Sequence, residues 1–216
     1  MAETVKGRRP YQSPLRREQA AATRQVILEA AERLFLRDGF AATSVPAVAA
    51  EANVALKTVY LGFATKSGLL HALWDVRLGG DDRPVPVTER RWYRDLLAEP
   101  DPEALLGRIA AQSRQVKERA GSLMEVIRNA ASADPAVAHL WRLIQDEFRA
   151  VLAPVAARLA EQGALTDGLT VATATDLLWT LNHPAVWHLL CVECRWSAEA
   201  YEAWLIRSFR AQLLAQ

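Results

Sequence analysis

Cysteine is scarce in this chain of 216 residues: only two occur, both within "CVEC" at 191–194, so a disulfide framework is excluded and a reducing compartment fits. No stretch reaches the eighteen or so uncharged apolar residues that a membrane span needs, and "MAETVKGRRP" has no apolar core of a secretion signal. A cytoplasmic protein with no membrane partner is therefore expected. Strand signals are nearly absent. So are a glycine-rich phosphate loop, a nucleophile paired with a base, and a carboxylate dyad, which leaves no catalytic residue to name and argues against an enzyme. The one metal-like pattern, His188, Cys191 and Cys194 at successive i+3 steps, falls short of the four ligands of a closed zinc site, so neither a metal nor another cofactor is expected.

What is present is an ordinary globular balance, 51% apolar and 24% charged residues with a net charge of +1. Splitting the chain is more informative. Residues 1–80 hold 11 Lys/Arg against 7 Asp/Glu, and residues 81–216 hold 15 against 18. Most of the basic excess lies at the start, where Lys6, Arg8, Arg9, Arg16 and Arg17 face only Glu3 and Glu18. This reads as a basic flexible arm over 1–18, a footprint of polyanion binding.

Helical periodicity dominates the rest. In "TRQVILEAAERLFLRDGF" the residues Ile27, Ala30, Ala31, Leu34 and Phe35 form one apolar stripe, after which Gly39 is expected to end the helix in a left-handed conformation with Phe40 packed back on Phe35. "ATSVPAVAAEANV" predicts a short helix to about Ala52, with Thr43 or Ser44 as N-cap and Pro46 in the first turn. Asn53 tolerates positive φ and breaks the direction of the chain, "VALKTVYLGF" resumes helical spacing, and "TKSGLLHALWDVRL" reads as a fourth helix. "GGDDRPVPVTER" is the linker candidate, dividing a domain over 19–80 from a larger one over 81–216. Beyond it helices are predicted near 88–98, 102–120, 121–132, 135–162, 169–190 and 197–215. Pro154 is expected to kink the long one, and Trp196 to staple onto Tyr201 around the N-cap Ser197.

Three helices within about sixty residues, the second and third joined by a very short turn, have the shape of a helix–turn–helix reader of DNA. Val48, Ala49, Ala52, Val54, Val59 and Phe63 are small or branched where two short helices must cross. Lys57, Thr58 and Tyr60 then project outward together, carrying a point charge, a hydroxyl and a phenol suited to phosphates and base edges. Over residues 23–73 the chain resembles the N-terminal domain of the TetR (tetracycline repressor) family of transcriptional regulators. The most specific parts are "ATSVPAVAAEANV" and "KTVYLGFATKSGLL", with Tyr60, Phe63 and Lys66 at the family's spacing.

The resemblance implies an all-α fold, a homodimer, a double-stranded palindromic DNA operator, and a small-molecule effector that releases a repressor from it. It also implies that Thr43 or Ser44 contacts phosphate, that Lys57 and Thr58 face the major groove, and that Tyr60 and Lys66 grip the backbone. The chain departs from the family pattern at Leu61 and Gly62, where bulky polar residues are common, at Asn53, where glycine is usual, and at Pro46.

In the C-terminal half, "LNHPAVWHLLCVECRWSAEAYEAWLIRSFRAQLL" looks like the last two helices of many members, which form a four-helix interface with their counterparts in a second subunit. Tyr201, Trp204, Leu205 and Phe209 are the expected interface anchors. Trp92, Trp141, Phe148, Trp179, His183, Trp187 and His188 suit an apolar pocket with a few polar groups. Of these, Trp141, Phe148, Trp179, His183 and Trp187 are the expected ligand contacts, pointing to a flat, hydrophobic or aromatic effector. The competing reading is an all-α ligand-binding or protein-interaction module whose helix–turn–helix no longer binds DNA, a reading kept open by Leu61 and Gly62.

Overall fold

The structure, a computed structural model, describes residues 14–79 and 86–215. Ten α-helices follow one another among these residues, and the only β-type pairing is an isolated bridge between Leu165 and Leu214. The first four are α1 (Pro14–Ala42), α2 (Val45–Glu51), α3 (Leu56–Phe63) and α4 (Lys66–Gly79). A 3₁₀ turn at Val87–Glu89 leads into α5 (Arg91–Leu97), α6 (Pro102–Ala130) and α7 (Pro135–Glu161). After α8 (Val171–Leu181), a single turn α9 (Pro184–Trp187) passes into a π-helical turn (His188–Glu193), and α10 (Ala198–Leu213) closes the chain.

The all-α architecture agrees with the expectation, and several local details correct it. The arm expected over 1–18 is helical from Pro14 onward, while residues 1–13 lie outside the described residues, as do residues 80–85 of the linker. Gly39 does take positive φ, but with ψ of 168° rather than the left-handed helical value, so the chain swings out sharply between the helical body of α1 and Phe40. Phe40 nonetheless stacks on Phe35 as expected, with centroids 5.8 Å apart. Asn53 has φ of 52°, as the turn into α3 requires.

The two helices expected on either side of Gly121 are one. Gly121 is buried beneath Trp187, whose Nε1 would lie 3.2 Å from an added Cβ, so the glycine there serves close packing and not a break. α7 likewise runs through Pro154 as a single helix. Ser197 caps α10 through the Ala200 N–H at 3.1 Å, but the expected staple is replaced: Tyr201 meets Trp187 edge-on at 4.8 Å and Trp204 at 5.9 Å, while Trp196 stays exposed.

Two apolar clusters hold the helices together. One joins Phe35 of α1, Val48 of α2, Phe63 of α3 and Leu70 of α4 to Met124 and Ile127 of α6 and Ile144 of α7. The head and the body on which it sits therefore share a core across the expected boundary. The second gathers α6, α7, α8 and α10 around Leu106, Leu152, Leu178, Tyr201, Leu205 and Phe209.

Polar ties pin the four head helices. Arg77 of α4 makes a two-pronged ion pair with Glu32 of α1, Arg33 of α1 meets Glu51 of α2 at 3.0 Å, and Arg24 of α1 lies over the Phe63 ring at 4.7 Å. α3 and α4 approach so closely that a Cβ at Gly68 would stand 2.3 Å from the Phe63 carbonyl oxygen. Alanine normally gains about 1 kcal/mol over glycine inside a helix. Gly68→Ala should instead lower the melting temperature, because backbone cannot yield as a flexible side chain would; a rise on thermal denaturation would contradict this packing.

Candidate nucleic-acid interface and interior cavity

α3 buries Val59 and Phe63 against α1, α2 and α4, which turns its other face outward. Lys57 is exposed, Thr58 is half-buried, Tyr60 is 47% exposed and Leu61 is 79% exposed. These side chains sit within one turn and a half of helix, so a cation, two hydroxyls and one isobutyl group share a single convex face. Ser44 is exposed at the start of α2 and accepts the Ala47 N–H at 3.2 Å through its hydroxyl oxygen, which settles the N-cap in favour of Ser44.

Two expected phosphate contacts do not have the geometry for it. Thr43 is buried, and its hydroxyl donates to the Gly39 carbonyl at 2.8 Å. Lys66 turns inward as well: its ammonium donates to the carbonyls of Phe40 at 2.8 Å, Thr43 at 3.0 Å and Ala41 at 3.5 Å, and rests 4.2 Å from the centroid of the Phe40 ring. All three N–H groups are thus directed at the frayed end of α1. Lys66 caps carbonyls that the swing at Gly39 would otherwise leave without partners, and no N–H remains for a phosphate.

The residues expected to anchor a dimer are divided by the periodicity of α10. Tyr201, Leu205 and Phe209, at four-residue steps, are fully buried against α6 and α8 within one chain and have no surface left for a partner. Trp204 sits one step round the helix, in a groove of about 340 Å³ that it forms with Leu177 and Leu181 of α8 and Ala211 of α10.

A separate cavity of about 430 Å³ opens among α4, α5, α6 and α7. Trp92, Ile109, Val116, Phe148 and Leu152 make its apolar walls, and the exposed Asp75 and Glu147 stand at its rim beside Arg90 and Arg119. Partial desolvation at the cavity mouth holds both rim carboxyls above their ordinary values, and for Glu147 the nearby Asp75 adds to the effect. Of the five ligand contacts expected from the sequence, only Phe148 lines this space. Trp141 and Trp179 instead flank His183 edge-on at 6.3 and 4.9 Å, and His183 caps α9 by accepting the Ala185 N–H at 3.1 Å. Trp187 lies over Gly121 and Tyr201.

The inner end of the cavity holds polar residues that periodicity alone did not single out. Ser113 and Asn182 line it, and behind them lies Lys117, only 2% exposed. Its ammonium donates to Ser113 Oγ at 2.5 Å and to Asn182 Oδ1, and sits 5.4 Å from the centroid of the Tyr201 ring. No carboxylate pairs with it among the described residues, and burial pushes its pKa down to about 7. A signal was available: Leu106, Ile109, Ala110, Ser113, Lys117, Ala120, Met124 and Ile127 all fall on the buried stripe of α6, and Lys117 is the one charged side chain among them.

Comparison with known proteins bears on the head. Residues 27–73 match the family of bacterial regulatory proteins, tetR family. That match lies within the helix–turn–helix head. A stretch of 75 residues is 35% identical to an uncharacterized HTH-type transcriptional regulator, YvkB, of Bacillus subtilis (strain 168), and the match spans 35% of this chain and 40% of that relative. Likeness of fold extends through the body. A putative transcriptional regulator from Saccharomonospora viridis, solved in complex with choline, superposes with a TM-score of 0.70 at 16% identity, covering 91% of this chain and 100% of the other. The transcriptional regulator FadR of Bacillus subtilis, in complex with stearoyl-CoA, gives 0.69 at 17% identity over 86% of this chain and 96% of its own.

The two inward lysines of this chain make opposite contributions. Lys66→Met removes hydrogen bonds to carbonyls and should lower stability by about 2 kcal/mol. Lys117→Met removes a cation that folding desolvates. Lysine ordinarily titrates near 10.5 and here near 7, so the unfolded chain binds more protons between those values and stability rises with pH across that window. The destabilisation is complete below about 7, and Lys117→Met should raise the melting temperature more at pH 6 than at pH 10. Thermal melts of both variants at the two pH values check this; a lowered melting temperature for Lys117→Met at pH 6 would contradict it.

Proposed function

We propose that this chain is a DNA-binding transcriptional regulator, a repressor that acts as a homodimer on a palindromic operator and is released by a small-molecule effector held in the cavity among α4 to α7. The observation that carries the reading is the outward face of α3, where Lys57, Thr58, Tyr60 and Leu61 stand together while Val59 and Phe63 are locked into the head. A lysine there supplies charge to phosphate, and the tyrosine hydroxyl donates from a rigid ring.

Two copies of α3 must stand about 34–36 Å apart to enter successive major grooves on one side of a duplex. The groove bearing Leu177, Leu181, Trp204 and Ala211 supports pairing through the outer faces of α8 and α10, in place of the buried stripe first expected. The cavity supports the effector half of the reading, because Asp75 and Leu78 of α4 form part of its wall and α4 is packed directly on α3. An occupant that favours one setting of α4 over another would change the separation of the reading helices, by an amount limited to its differential affinity for the two.

Gel-shift titration with the DNA upstream of its own gene, across a salt series, is the test. Binding should be specific and fall steeply with salt, since phosphate contacts release counterions. Lys57→Ala should weaken it about tenfold and flatten the salt slope by about one, with Tyr60→Phe several-fold weaker and neither melting temperature changed. Salt-independent binding, or full affinity in both variants, would overturn the assignment of α3.

A further inference from the structure

The inner end of the cavity poses a problem of charge. Lys117 brings an ammonium into the interior, and its surroundings are an aromatic ring on α10, the thiol of Cys191 on the π-helical turn, and His183 ahead of α9. The charged groups of the cavity rim are Asp75, Glu147, Arg90 and Arg119. No ion pair joins any of the carboxylates to Lys117 among the described residues. A buried cation without a counterion is among the costliest arrangements a folded chain can hold.

The hydrogen bonding around it is also incomplete in one direction. Asn182 is 4% exposed, and its Oδ1 accepts from both the Lys117 ammonium and the Ser113 hydroxyl. Two donors on Oδ1 fix the orientation of the amide, so Nδ2 is its donor end. Nδ2 has no protein partner among the described residues, and neither has the third N–H of Lys117. Donors and positive charge therefore converge at one end of the space, where Asn182 Oδ1 is already taken up by the protein itself.

We infer that this inner end is a binding site for the anionic head group of an organic ligand, a carboxylate or sulfonate on an aromatic or aliphatic body. Lys117 supplies the countercharge and Asn182 Nδ2 a hydrogen bond. The inference rests on reading the cavity as the effector site and names the chemical class of its occupant. The apolar walls at Trp92, Ile109, Val116, Phe148 and Leu152 take the body of such a ligand.

The test uses two fluorescent probes that share one aromatic skeleton. 1-Anilinonaphthalene-8-sulfonate carries the anion and N-phenyl-1-naphthylamine lacks it. Binding of each is titrated on the full chain and on Lys117→Met. The variant should lose the sulfonate probe by at least about tenfold while holding the neutral probe within about twofold. Equal loss of both probes, or of neither, overturns the anion site and leaves the DNA-binding reading standing.

A second measurement needs no variant. Between pH 7 and 9, burial keeps His183 neutral and keeps the Cys191 thiol protonated, so Lys117 is the member of this group that loses charge. Affinity of the wild-type chain for the sulfonate probe should fall as pH rises through that range while the neutral probe is unaffected, and a flat profile for the sulfonate contradicts the inference. If neither probe binds the folded wild-type chain, the effector reading of the cavity fails and this inference with it, whereas the gel-shift result is untouched.

Discussion

The constraint on which the rest depends is that the core of the helix–turn–helix head is continuous with that of the body. Ile27, Phe35, Val48, Val59, Phe63 and Trp74 belong to the same apolar cluster as Met124 and Ile127 of α6 and Ile144 of α7. A head of about sixty residues buries too little surface to be more than marginal alone, and here it completes its burial on the body. α3 is therefore oriented by whatever orients α4 and α6. That dependence links the cavity among α4, α6 and α7 physically to the outer face of α3, through close-packed side chains that shift together and do not deform independently.

Two lysines show how the same side chain serves opposite ends. Lys66 spreads its three N–H groups over the carbonyls left at the swing of Gly39, and a ring beneath completes its surroundings. Its charge is fully answered by dipoles, and it stiffens the junction of α1, α2 and α4. Lys117 meets a hydroxyl and an amide that are themselves bonded to each other, so its charge is solvated thinly and its pKa falls. The first arrangement lowers the free energy of the empty protein. The second raises it for as long as the lysine carries its proton. Stability given up at a site in this way is a common mark of function.

Most of the head was legible because its rules are local. The stripe of α1, the positive φ at Asn53, the Ser44 cap and the packing of Phe40 on Phe35 all follow from spacing within a few residues. The errors arose where a residue answers to a distant partner. Lys66 has the right spacing for a phosphate contact, and nothing nearby in the chain reveals that Phe40 and Thr43 present their carbonyls to it. Gly121 reads as a break unless Trp187, far along the chain, is known to cover it. The broad stripe of α10 could face a neighbouring helix or a second copy with equal ease, and only the packing of α6 and α8 assigns Tyr201, Leu205 and Phe209 to the interior. For the cavity, aromatic content identified Phe148, whereas the polar end at Ser113, Lys117 and Asn182 depends on α6 and the end of α8 meeting in space.

The central claim is the shared core, and amide hydrogen exchange in increasing denaturant tests it most directly. The slowest amides of Leu28–Phe35 in α1 and of residues 123–127 in α6 belong to one cluster and should exchange through a common opening, with equal free energies and equal dependence on denaturant. If the α1 amides opened at markedly lower free energy while those of α6 stayed protected, the head would be a separately folding unit. The coupling between cavity and reading helix argued from the common core would then have no physical basis.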